Sequence, residues 1–119
     1  MKKMDENYEV VFDLILNAGN SKSKSIMAVR QARNFNFEEA EQLIAEAKDD
    51  LIKAHQTQTR LLQNECGGAK MNVSLIAVHA QDHLTMAFMA LDNAQEMMVM
   101  YKMIADLNEK SKGAKIDYE

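Results

Sequence analysis

The sequence predicts an all-α protein, an antiparallel three-helix bundle that self-associates through its third helix. Three observations carry this expectation. The 119 residues include no Pro, no Trp, only 4 Gly and 10 Met, a composition suited to long helices and poorly suited to turn-rich β structure. Two long stretches repeat small or apolar residues at alternating spacings of three and four. A third stretch is apolar nearly all the way round. The length suits one domain over residues 1–119, enough to build a core without disulfide or metal staples.

The first helix is expected from about Asp5 to Arg33. Val11, Leu14, Ala18, Ser21, Ser25, Ala28 and Ala32 form its seam, apolar at the start and small further on. Gly19 lies beside the seam, where it would admit a close neighbour or a bend. Asn34-Phe35-Asn36-Phe37 interrupts the period. Asn36 followed by Glu39 has the pattern of an N-cap with an acid reaching back to it.

The second helix is expected to run to about Glu65. Its seam is Ala40, Ile44, Ala47, Leu51, Ala54, Gln58 and Leu61, widened by Leu43 and Leu62. Glu38, Glu41, Glu46, Lys48, Asp49 and Lys53 take the opposite, solvated side. Such a helix is about 45 Å long at 1.5 Å per residue.

Cys66-Gly67-Gly68-Ala69-Lys70 forms the next connection, and Asn72 or Ser74 would cap a third helix continuing to about Glu109. Its stretch Leu84-Thr85-Met86-Ala87-Phe88-Met89-Ala90-Leu91 needs burial on more than one side. Two partner helices cover only part of it, so the third helix is expected at the centre of an assembly of copies. Met86, Met89, Met97, Met98, Met100 and Met103 would suit a plastic binding surface, but methionines at helical spacing read more simply as core. Residues 111–119 show no apolar period and read as a frayed tail, leaving about 5–110 as ordered helices.

Charge and cysteine content exclude several functions. Lys plus Arg is 14 and Asp plus Glu is 18, a net charge of −4 that argues against nucleic-acid binding. Cys66 is the only cysteine, so no internal disulfide forms, and a reducing, cytoplasmic setting fits. The basic start is followed by no apolar run, unlike a signal peptide. No stretch of about 18 apolar residues would span a membrane. Phosphate-cradling Gly loops, a Cys-x-x-Cys pair and a nucleophile elbow are all missing from the chain.

One place breaks the binary pattern. Val78-His79-Ala80-Gln81-Asp82-His83-Leu84 sets four polar residues just before the most apolar run in the chain. His79, Asp82 and His83 stand at i, i+3 and i+4 and share a helix face, whereas Gln81 projects from another side. A half-buried His beside a carboxylate and a second His suits a nucleophile, a proton carrier or a metal ligand. A structural pair with Asp82 fixing a tautomer is the plainer alternative. His55 reads as structural and Cys66 as inert.

These residues resemble the lactose/cellobiose-type enzyme IIA family of the bacterial phosphoenolpyruvate-dependent sugar phosphotransferase system. The string Val78-His79-Ala80-Gln81-Asp82-His83-Leu84 is similar to the family's active-site helix. Leu14-Ile15-Leu16-Asn17-Ala18-Gly19-Asn20 looks like its first-helix segment, and Phe37-Glu38-Glu39-Ala40-Glu41 like its second-helix start. Ala54-His55, Thr57-Gln58-Thr59 and Leu61-Leu62-Gln63-Asn64-Glu65 follow its second helix. The resemblance spans about Glu6 to Asp106. Ser21-Lys22 departs from an expected Ala-Arg, and Asn34-Phe35-Asn36 replaces an expected Gly-containing turn.

The resemblance implies a cytoplasmic phosphotransferase component that works as a homotrimer with its third helices around a threefold axis. His79 would accept a phosphoryl group from the phosphocarrier HPr and pass it to a cysteine of enzyme IIB. The sugar, lactose, cellobiose, chitobiose or a related β-glycoside, is phosphorylated as it enters through the membrane component IIC. Gln81 and His83 would belong to the same site. Three Asp82 side chains would meet at the axis and share a metal ion, magnesium by the hardness of its oxygen ligands. An apolar rim of Ile76, Val78, Leu84 and Met86 would dock partners. The reading from a different class is a non-enzymatic helical oligomer with a metal site at His79, Asp82 and His83.

Overall fold

The computed structural model describes residues 6–68 and 74–113. They form α1 (Glu6–Arg33), α2 (Phe37–Cys66) and α3 (Leu75–Gly113). The expected all-α architecture is what folds, with no strand among the described residues. α1 packs extensively against both other helices, whereas α2 and α3 meet over a smaller area.

α3 starts where Ser74 directs it. The Ala77 amide donates to Ser74 Oγ at 3.2 Å, satisfying one of the donors left free at a helix start. The other expected cap, Asn72, lies outside the described residues. The helix continues to Gly113, beyond the expected end at Glu109 and into the stretch read as a tail. The rest of that stretch, 114–119, lies outside the described residues.

The α1–α2 turn departs from expectation. Asn36 precedes α2, but its side chain caps nothing and donates to Gln31 Oε1 at 3.0 Å. Its φ of −87° and ψ of 68° lie off the extended backbone usual for an N-cap. The reversal is closed by main-chain bonds instead, from the Phe35 amide to Ala32 O at 2.9 Å and from the Asn36 amide to Gln31 O at 2.9 Å. Phe35 takes a left-handed φ of 62°, the conformation for which a glycine is the usual choice. Its ring stacks on Phe37 at 5.9 Å.

Both predicted seams are buried. All seven α1 positions are inside, joined by Ala40, Ile44, Ala47, Leu51, Ala54 and Leu61 of α2 and by Ala80, Leu84, Ala87, Leu91 and Ala94 of α3. Gln58 is half-buried. Leu62 does not widen the stripe, being 50% exposed; Asp50 and Thr57 are buried at its other edge, in heptad register with Leu43. The small residues of α1 bring α2 within hydrogen-bond range: Ser21 Oγ donates to Ala47 O at 2.8 Å. Lys24 Nζ meets Asp50 Oδ2 at 2.7 Å beside it. Gly19 admits no close neighbour, since a Cβ there would meet nothing within 4 Å.

The outer face of α3 carries a second pattern. Leu75, Asp82, Met89, Glu96 and Met103 alternate with His79, Met86, Asn93, Met100 and Leu107 at heptad spacing, and all ten are exposed. The methionines therefore do not form the chain's own core: Met86, Met89, Met100 and Met103 are exposed, and Met98 alone of the six packs against it. Near the far end, Lys102 ties α3 to the start of α2. Its Nζ lies 2.7 Å from Glu41 Oε1 and 5.9 Å from the Phe37 ring centre.

Candidate functional site

The polar string falls in the first turns of α3 and its members part company there. One turn of helix brings His79 and His83 together, Nε2 to Nε2 at 3.0 Å, with perpendicular rings 4.4 Å apart. His79 is exposed and His83 half-buried. His83 Nδ1 is buried, and no described residue bonds to it. The 3.0 Å contact couples the two tautomers: in the neutral pair, whichever ring donates from Nε2, the other accepts at Nε2 and carries its own proton on Nδ1.

Gln81 faces the other way. At 100° per residue it lies about 200° round the helix from His79, toward α2. There its Oε1 accepts from Gln58 Nε2 at 2.6 Å. The sequence placed Gln81 on a different side but not in the grip of Gln58. The only advance sign was an amide at a seam position otherwise held by Ala and Leu.

Asp82 is exposed and lies with His79, Leu75, Ile76 and Val78 around an open cleft. Within the chain, the alternative metal site does not assemble. Among the described residues no three His, Cys, Asp or Glu groups are placed to hold a metal ion. Asp82 looks outward while the two imidazoles close on each other. The apolar rim also needs correction: Leu84 is 2% exposed and belongs to the core, while Ile76 and Val78 line the cleft together with Leu75, and Met86 is exposed but does not line it. His55 stands apart, exposed, its ring edge-to-face with Phe88 at 5.7 Å. Cys66 is exposed at the end of α2.

Comparison with known proteins decides the family. The model for the PTS system lactose/cellobiose-specific IIA subunit matches residues 9–102. This chain belongs to that enzyme IIA family. It is therefore a phosphotransferase component, which removes the non-enzymatic alternative. The enzyme IIA is 39% identical over 102 residues to the lichenan-specific phosphotransferase enzyme IIA component of Bacillus subtilis, covering 86% of this chain and 93% of the relative. It superposes on the cellobiose-specific enzyme IIA of Bacillus anthracis with a TM-score of 0.85 at 35% identity, over 87% of this chain and 95% of the other. It also matches the IIA(Chitobiose) fold, solved in an HPr complex of the Escherichia coli phosphotransferase system. That match has a TM-score of 0.74 at 33% identity, over 86% of this chain and 99% of the other. The family match ends at Lys102, whose side chain pairs with Glu41 of α2. None of the enzyme IIA helices is long and apolar enough to cross a membrane among the described residues.

Proposed function

We propose that this enzyme IIA carries phosphoryl groups on His79 Nε2, from HPr to a cysteine of enzyme IIB. The observation that supports it is the pairing of an exposed His79 with His83 in a cleft edged by Leu75, Ile76 and Val78. The Nε2 lone pair of His79 attacks phosphorus as the bond from phosphorus to the HPr donor breaks. The same bond to His79 then breaks as the enzyme IIB thiolate attacks. His83 Nε2–H, freed from the lone pair, turns to a phosphoryl oxygen, where positioned donors do most of the work of catalysis. The apolar edge docks each partner briefly and sheds water. The sugar, a β-glycoside such as lactose, cellobiose or chitobiose, is phosphorylated downstream as IIC admits it, so the carrier works on the cytoplasmic side.

The assembly is a homotrimer around α3. Its ten exposed heptad positions are the seam of a coiled coil, and none of them is covered by the described residues. On this seam three Asp82 carboxylates converge and repel. Such a set suits a hard divalent cation, magnesium, which would neutralise the axis rather than take part in transfer. In any cyclic arrangement one flank of α3 faces the opposite flank of the next copy. The His79 side of one copy thus meets the Gln81 side of its neighbour.

The test is incubation with labelled phosphoenolpyruvate, enzyme I and HPr. An acid-labile label on the wild type and none on His79→Ala is the expected result. Label retained by His79→Ala refutes the proposal.

A further inference from the structure

We infer that Gln58 is a positioning residue for phosphoryl transfer, holding the Gln81 amide so that its NH2 group faces the phosphoryl site. This rests on the reading of His79 as the acceptor. Gln58 Nε2 donates to Gln81 Oε1 at 2.6 Å, a bond between α2 and α3. A primary amide offers one oxygen acceptor and two N–H donors. With its oxygen taken by Gln58, Gln81 has only N–H left to present, the polarity that phosphoryl oxygens require. Released from Gln58, the amide turns freely and sets its oxygen against an anion in one of two orientations.

The placement explains why a polar side chain interrupts the α2 seam. Gln58 follows Ala47, Leu51 and Ala54 and precedes Leu61, all buried, so an apolar residue would fit the packing equally well. An amide at the core edge is retained at a desolvation cost unless it has a partner, and its partner is Gln81. Gln81 cannot reach the His79 of its own chain, about 200° away on the helix. It reaches the His79 of the adjoining copy, across the flanks that a cyclic assembly brings together. Gln58 itself makes and breaks no bond to phosphorus; it acts through Gln81 alone.

The experiment measures the rate of label transfer from phosphorylated HPr to full-length chain in its assembled form. Gln58→Glu replaces a donor by an acceptor, so Gln81 must turn its NH2 inward and its oxygen out. The rate should fall about a hundred- to a thousandfold, the cost of losing one preorganised donor, with unchanged melting temperature and final labelling. Gln58→Met, which frees Gln81 without inverting it, should lose less. In a Gln81→Leu background, Gln58→Glu should cost nothing more. Mixed assemblies of His79→Ala and Gln81→Leu copies should recover activity. Wild-type rates in Gln58→Glu, or full additivity of the two losses, overturn the inference. Absent recovery in the mixed assemblies overturns the placement across copies. Label persisting in His79→Ala sinks the parent reading, whatever Gln58 does.

Discussion

The Nε2 atoms of His79 and His83 lie 3.0 Å apart across one turn of α3, with their ring planes at 90°. In the proposed reaction His83 donates from Nε2 to a phosphoryl oxygen. His83→Ala should therefore slow phosphoryl acceptance about a hundred- to a thousandfold without abolishing it, since the nucleophile survives. His83→Gln, which keeps an N–H donor, should retain much of the rate. Rapid-quench labelling checks both, and equal rates for Ala and wild type would contradict a donor role for His83.

Ser21 is a buried hydroxyl bonded to the main chain of the neighbouring helix. Ser21→Ala should destabilise the fold by about 1 kcal/mol, the net worth of one such bond. Ser21→Leu should cost about 1–3 kcal/mol, because added volume has to part α1 from α2. Urea titrations followed by circular dichroism give both values.

Lys24 gives stability a dependence on alkaline pH. The hydrogen bond to Asp50 raises the Lys24 pKa above 10.5, against the opposing effect of desolvation. A raised folded-state pKa means the contribution is fully present below the unfolded value and is lost as pH rises through the folded one. The wild type should exceed Lys24→Met in melting temperature at pH 8, and the gap should narrow above about pH 10.5. A constant gap would assign the difference to packing of the Lys24 stem.

Phe35 holds a left-handed φ of 62° that costs a residue with a bulky Cβ about 1–2 kcal/mol. Phe35→Gly should relieve this strain while giving up the stack on Phe37. A rise in melting temperature is expected, with phosphoryl transfer unchanged because the turn lies far from His79 along the bundle. A fall would mean that the aromatic pair outweighs the strain.

Assembly and metal response should separate. Met100→Glu puts charges in the carboxyl-terminal half of the exposed heptad seam and should shift the trimer to monomers in sedimentation. Asp82→Leu removes the repelling carboxylates, so the trimer should persist and its melting temperature should no longer respond to chelator. A monomeric Asp82→Leu would contradict the assigned role.

Periodicity made the fold legible because burial in a helix bundle follows spacing: every predicted α1 seam position is inside. It located the ends of α1 and α2 as well, but not that of α3. There the heptad run ends at Leu107, and the helix continues through Lys110 and Lys112 with no apolar period to mark it. The Asn36 cap failed because a capping pattern specifies residue types, and the backbone of a three-residue reversal did not supply the dihedrals. At the site, the i and i+4 histidines were legible from one helix alone. The Gln58–Gln81 and Lys24–Asp50 pairs were not, since each joins two helices whose relative rotation no local spacing encodes.

Lys102 joins α3 to the start of α2, and no side chain described from Met103 to Lys112 is buried. A short helical segment with little packing is marginal in water. In the proposed trimer sister chains supply that packing, so dilution should unravel this end well before the bundle itself melts, making the carboxyl-terminal third of α3 a gauge of how much protein is present.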